Sequence, residues 1–303
     1  MNRTAIATRD WESVFSTWAQ GPSKTEQEKA ENAERQIYEA IRNSSELSHR
    51  EIKVFTQGSY RNRVNVRRES DVDIGVLCFD TYFPDYPDDN VKALLRKSEA
   101  PAAYTYAQFK NELHRALVAR FGTNQVTRGD KAFQVDENTY RVNADVVPFF
   151  EHRRYVSTTR YHSGVQLLTD KGRSIINWPE QHYENGVNKN TLTGRHYKRG
   201  VRILKTLRNE MAEAGISAAE PIPSFLTECL VWNAPNSAFG CDSYHSMMRE
   251  ILAHLFNDTL GDDRCGEWGE VSELKYLFRG VQPWTREQAH AFLGAAWDYV
   301  GHK

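Results

Sequence analysis

The stretch GSYRNRVNVRRESDVDIGVL (58–77) pairs a Gly-Ser turn with an acidic strand start, and its reading decides what the rest of the chain is for. Asp71 and Asp73 stand two apart ahead of an apolar run. On a strand both carboxylates project from one face, while Val72, Ile74 and Val76 project from the other. Like charges side by side repel, and a cation or a basic neighbour must offset that cost. Mg²⁺ suits the task, because it takes few carboxylates and completes its shell with water and phosphate oxygens. The same pair also suits a solvated strand end. A calcium loop is excluded: with Asp71 as its first position, Gly75 and Tyr82 occupy the fifth and twelfth, which need oxygen ligands.

Gly58-Ser59 precedes the acidic pair by eleven residues, Tyr60 to Ser70. Glycine lets a backbone approach a phosphate closely, and a serine hydroxyl bonds a phosphate oxygen; a plain turn reads the same way. No Walker A or GxGxxG pattern occurs anywhere in the chain, so those routes to a phosphate are closed.

Outward from this stretch the chain changes character. Ser23 to about Asn43 lacks Gly and Pro and repeats Ala30, Ala33, Ile37 and Ile41 at helical spacing behind a serine cap. IKVFTQ (52–57) and DVDIGVLCF (71–79) alternate as strands around a polar loop, and the Pro- and Asp-rich FPDYPDD follows as a second loop. Residues 106–121 read as a helix, and FQV (133–135) with YRVNADVVPFF (140–150) as a hairpin. Beyond about residue 155 the pattern turns helical, over 193–214, 222–233, 243–258 and 284–299, with Pro221, Pro223, Pro235, Gly240 and Pro283 at the breaks. The expected division is therefore 1–160, mixed α and β, and 161–303, helical.

The 303 residues carry a net charge of -1, so any contact with a polyanion needs a local patch. Cys78, Cys229, Cys241 and Cys265 lie too far apart for paired CxxC zinc ligation. No secretory signal and no run of eighteen apolar residues is present, so the expectation is a cytoplasmic protein with reduced thiols and no membrane span.

A third acid strengthens the metal reading. In YRVNADVV, Val142, Ala144 and Val146 share one parity and Asp145 the other. Three carboxylates on neighbouring strands can hold two metals roughly 3.5–4 Å apart, the arrangement that clamps attacking and leaving oxygens in phosphoryl transfer. Asp145 is also placed to accept a hydroxyl proton.

Gly-Ser, eleven residues, Asp-x-Asp between hydrophobics and a later strand Asp resemble the DNA polymerase β-like nucleotidyltransferases. QGSYRNRVNVRRESDVDIGV (57–76), ADVVP (144–148), NWPEQHYENG (177–186) and IPSFLTECLVWNAPNSAFG (222–240) resemble more closely the bacterial cGAS/DncV-like nucleotidyltransferases, clade E, over nearly the whole chain. The resemblance implies an α+β catalytic lobe with a mixed sheet, a C-terminal helical lobe and a nucleotide cleft between them. It further implies a monomeric cyclic dinucleotide synthase of antiphage signalling, whose product acts on a separate effector. Asp71, Asp73 and Asp145 would hold two Mg²⁺ or Mn²⁺ ions; Gln57, Gly58 and Ser59 would bind the donor triphosphate. Lys205 and Ser224 match the family's triphosphate-contacting lysine and serine. Asn177 matches a position that contacts the base, where Asn goes with uracil and Ser with adenine; it equally suits a cap before Trp178-Pro179. UTP and ATP are the expected substrates, and the expected product contains uridine, as cyclic UMP-AMP or a related cyclic dipyrimidine.

Arg195, Lys198, Arg202 and Lys205, spaced by three, four and three, form a basic stripe opposite Tyr197, Leu204, Leu207 and Met211. Such a stripe can neutralise a triphosphate. Of Arg61, Arg63, Arg67 and Arg68, two or three are read as offsetting the carboxylates or touching the triphosphate and the rest as solvated, and no nucleic-acid activator is expected. The same core also serves template-independent enzymes acting on RNA ends, a small molecule or a protein, and it would serve a silent nucleotide sensor.

Overall fold

The computed structural model describes residues 9–66, 71–97 and 102–302. The chain folds as two compact units: a helical one from Met1–Pro22, Asn62–Arg67 and Glu180–Lys303, and a sheet unit from Ser23–Arg61 and Arg68–Pro179. The expected edge at residue 160 and these units differ at both ends. Residues 161–179 stay with the sheet because their strands pair onto it, and helix α1 (Trp11–Trp18) packs with the C-terminal helices.

The sheet unit begins with α2 (Lys24–Arg42), started by a capping box in which Ser23 Oγ accepts from the Glu26 amide and the Glu26 carboxylate accepts from the Ser23 amide. Its buried face is Ala30, Ala33, Ile37, Ala40 and Ile41, as the helical spacing requires. Then come β1 (Ile52–Thr56), the short helix α3 (Gly58–Asn62), β2 (Val72–Asp85), α4 (Asp89–Arg96) and α5 (Tyr106–Phe121). The strands β3 (Val126–Arg128), β4 (Phe133–Val135), β5 (Ala144–Tyr155), β6 (Tyr161–Leu168) and β7 (Ser174–Asn177) complete the unit. The sheet order is β1-β2-β5-β4-β3, with β6 on β5 and β7 on β6. Among the described residues only the β2/β5 pair is parallel, so the sheet is mixed as expected. The hairpin is present, with Phe133 opposite Val146 and Val135 opposite Ala144, but its second strand begins at Ala144 instead of Tyr140, so residues 136–143 connect the two strands.

Two local readings change. FPDYPDD does not open a loop at residue 83: after an irregularity between Cys78 and Tyr82, β2 continues, pairing Tyr82–Asp85 with Glu151–Arg154 of the long β5. The supposed loop after β1 starts as helix α3 instead. Val72, Ile74 and Val76 are fully buried among α2, α5 and β5 side chains, which fixes the acidic parity on the other face.

The helical unit holds α6 (Pro179–Leu192), α7 (Tyr197–Glu213), α8 (Ser224–Asn233), α9 (Tyr244–Asp258), α10 (Asp262–Cys265) and α11 (Arg286–Val300). Tyr197, Leu204, Leu207 and Met211 of α7 are fully buried with Leu226, Cys229 and Leu230 of α8. Among the described residues no helix is long and apolar enough to cross a membrane.

Candidate active site

The acids of the sheet unit come together because β2 and β5 run parallel in a register that places Asp73 beside Asp145, with Val72 beside Ala144 and Ile74 beside Val146. Asp71 lies one pleat earlier on the same face. Burial pushes the Asp145 carboxyl above its ordinary range, and the Asp71 charge pushes it further. Gln134 of β4 sits opposite Asp145 on its other side, a neutral amide where sequence alone showed no partner.

The Gln57-Gly58 turn closes onto this acidic face. The Gln57 amide donates to the Asp73 carbonyl at 2.8 Å. Gly58 has φ +63°, and a Cβ there would stand 2.5 Å from Asp73 Oδ2. The position is therefore glycine for two independent reasons, handedness and space. Ser59, half-buried, follows in the first turn of α3, so β1 leads directly into Gln57 at the Asp73 carbonyl and Gly58 at its carboxylate, with Ser59 next along the chain. Upstream, the Glu34 carboxylate of α2 takes both the amide and the hydroxyl of Thr56, which pins the end of β1.

All-carboxylate oxygen ligands in small number fit a hard divalent cation. Among the described residues no three acids, histidines or cysteines already converge closely enough to hold an ion, so a cation would have to draw the Asp71, Asp73 and Asp145 carboxylates inward. The Asp71 charge felt by Asp145 favours a cation between them.

Asn177 is the last residue of β7, exposed, and held in register opposite Val165. The next residue, Trp178, is buried, edge-on to His152 with centroids 5.8 Å apart and covered by the Arg154 guanidinium at 4.2 Å. Gly164 makes room for it, since a Cβ there would meet Trp178 Nε1 at 2.7 Å. Asn177 thus sits exposed between strand pairing at Val165 and the packed Trp178 ring.

Lys205 and Ser224 belong to the helical unit. Ser224 opens α8 behind Pro223, and its hydroxyl accepts from Arg208 Nη2 at 2.7 Å. Lys205 is 2% exposed, and its Nζ lies 3.9 Å from Glu228 Oε2, with both side chains in the interior.

The basic stripe is not one open face. Arg195 precedes α7 with φ +69°, outside the helix. Arg202 is 8% exposed and donates from Nε and Nη2 to the Ala19 carbonyl and from Nη1 to the Arg63 carbonyl at 2.6 Å. The carbonyls at the end of α1 need donors, and Arg202 supplies them. Of the loop arginines, Arg61 lies near the Phe55 ring and Arg63 is exposed. Arg67 and Arg68 fall outside the described residues.

Sequence reasoning missed Glu228, His182 and Arg208. The signal for Glu228 was a single carboxylate in the otherwise uncharged SFLTECLVWN.

A mixed sheet with paired strand aspartates and a Gly-Ser turn on one of them defines a polymerase β-like nucleotidyltransferase. Residues 184–301 match the cGAS/DncV-like nucleotidyltransferase C-terminal helical domain. The chain is 46% identical over 296 residues to a cyclic dipyrimidine nucleotide synthase CdnE of Legionella pneumophila, covering 96% of this chain and 98% of that one. A solved structure of the Elizabethkingia meningoseptica CdnE cyclic dinucleotide synthase with GTP and Apcpp superposes with TM-score 0.80 at 34% identity, covering 96% of this chain and 99% of the other. That of the Rhodothermus marinus CdnE c-UMP-AMP synthase with Apcpp and Upnpp gives TM-score 0.83 at 28% identity and 95% of each chain. The chain belongs to the CdnE-type cGAS/DncV-like nucleotidyltransferases.

Proposed function

We propose that this enzyme joins two nucleoside triphosphates into a cyclic dinucleotide that contains uridine, releasing pyrophosphate at each of two steps. The observation that carries the reading is the pairing of Asp73 with Asp145 under the Gly58 turn. The identity to a cyclic dipyrimidine synthase supports UTP as a substrate, and a related structure holding Apcpp and Upnpp supports ATP as its partner; a second pyrimidine triphosphate in place of ATP is the reading the dipyrimidine relative favours.

Asp71, Asp73 and Asp145 would hold two Mg²⁺ or Mn²⁺ ions, which when bound neutralise triphosphate charge and polarise the reacting oxygens. Asp145, its carboxyl already raised, takes the proton of the attacking ribose hydroxyl. Gln57, Gly58 and Ser59 cradle the donor phosphates; Lys205 and Ser224 contact the triphosphate; Asn177 reads the base through its amide. Little covalent chemistry is asked of the protein beyond positioning and electrostatics. The product would act on a separate effector in antiphage signalling.

Incubation with all four labelled triphosphates and either metal, followed by mass spectrometry and linkage-specific nuclease digestion, tests this. A small phosphatase-resistant product containing UMP supports it; long RNA-dependent products would instead establish the RNA-end alternative. Exchanging Asn177 for Ser is expected to move the product mixture toward adenine, and an unchanged mixture would remove Asn177 from base selection.

A further inference from the structure

Glu228 is 4% exposed, on a helix whose neighbouring Leu226, Thr227, Cys229, Leu230 and Val231 are all buried. Its two oxygens have different partners. Oε1 is 2.8 Å from Nε2 of His182, which α6 brings in beside the Phe225 ring. Oε2 faces Lys205 Nζ of α7 at 3.9 Å, an ion pair longer than a hydrogen bond. Burial alone would raise this carboxyl; the charges of His182, Lys205 and Lys198 and the His182 hydrogen bond outweigh burial and hold it below the carboxylate range. The Tyr197 phenol is pushed up by burial and then by the Glu228 charge, and the Cys229 thiol by burial, then by the Glu270 charge and then by that of Glu228.

Stability does not account for such a group. A buried ion pair seldom outperforms apolar side chains of similar volume, because desolvation cancels much of the attraction. A lysine without its counter-charge in such a place is driven toward its neutral form. A neutral amine is of little use to a triphosphate.

We infer that Glu228 is a positioning residue that holds the Lys205 ammonium charged and in place, while His182 fixes the rotation of the carboxylate. The inference rests on the reading of Lys205 as a triphosphate contact. It assigns to α6 and α8 a part in substrate binding that needs no direct contact with the nucleotide.

The experiment measures KM and kcat for triphosphate from pH 6.5 to 9.5 in the full chain and its variants, each divided by the wild-type value so that titration of the substrate cancels. In Glu228→Gln the KM ratio is expected to be about 3–10 at the low end and to rise at least a further tenfold toward pH 9.5, with kcat changing less. Glu228→Met, which substitutes an apolar chain of similar size, should behave alike and covers the case in which the amide variant folds poorly. Adding Lys205→Arg to Glu228→Gln should flatten the rise, since a guanidinium stays charged throughout this range. A KM ratio independent of pH in both Glu228 variants, with Lys205→Ala still raising KM, would overturn the inference alone. An unchanged KM in Lys205→Ala would overturn the triphosphate reading and the inference with it.

Discussion

The two units carry opposite electrostatic strain. In the sheet unit, Asp71, Asp73 and Asp145 crowd one face, and Asp145 is pushed toward its protonated form by burial and then by a like charge. In the helical unit cations are buried, and burial pushes Lys189, Lys198 and Arg202 toward their neutral forms. The difference lies in what each unit does about it. The helical unit satisfies its cations internally, Arg202 with two backbone carbonyls, Lys189 with a carbonyl and aromatic rings, and Lys205 with Glu228. The acids of the sheet unit have a neutral amide strand partner, Gln134, on one side and a glycine turn on the other. The helical unit pairs its buried cations within the fold, whereas the sheet unit gathers like charges on one face, where a cation would lower their repulsion.

The sharpest way to break this comparison is to remove one member from each unit. Asp73→Ala should lower product formation by at least ~10³ with Mg²⁺ or Mn²⁺, while the unfolding midpoint holds or rises, because the residue is proposed as a metal ligand and is not a core side chain. Retained turnover would sink the metal assignment, and a collapse of stability would show that the acids are structural after all. Arg202→Met should do the reverse. It leaves the Ala19 and Arg63 carbonyls without their donor and is expected to cost about 2–4 kcal/mol in denaturant unfolding. A fully stable Arg202→Met would mean that the buried guanidinium is held for a substrate and not for the fold.

Gly58→Ala joins strain and site in one position. With φ +63° and Asp73 Oδ2 in the way of a Cβ, the variant is expected to lose ~1–2 kcal/mol of stability and roughly 10–100-fold in activity. If activity survives while stability falls, the turn matters for the fold alone.

How much of this was legible follows from which interactions are local. Asp71, Asp73 and Asp145 could be read because strand parity shows the face a residue takes, and the apolar parity of Val72, Ile74 and Val76 told which face was core. The long helix α2 was legible from its cap and its stripe. The register that sets Asp73 beside Asp145 was not, since nothing local fixes which residues of two distant strands pair. The basic stripe shows the same limit. Helical spacing put Lys198, Arg202 and Lys205 on one side of α7, but it could not show that Ala19 and Arg63 carbonyls arrive to occupy Arg202. Glu228 and His182 lie 46 residues apart, and each alone reads as an ordinary helix residue. Strands β6 and β7 were missed for want of a proline or an apolar alternation to mark them, which moved the expected domain edge to 160.

The smallest expected effect concerns a cation that no proposed step uses. Lys189 Nζ donates to the Ala234 carbonyl at 2.8 Å and stands 5.1 Å from the Trp232 ring centroid and 5.5 Å from that of Phe239. Burial lowers it to about 8, with Glu273 opposing, against an ordinary lysine value of 10.5. The folded state therefore binds this proton less tightly than the unfolded chain does. Its cost is fully present below about pH 8 and is relieved as pH climbs toward the unfolded value. That cost is at most about 3 kcal/mol, and the facing rings reduce it. Relative to Lys189→Met, the wild-type melting temperature should gain roughly 4 °C between pH 7.5 and 9.5. Parallel melting curves for the two proteins across that window would show that the carbonyl and the rings already neutralise the strain, which would place Lys189 with Arg202 among the cations the fold fully satisfies.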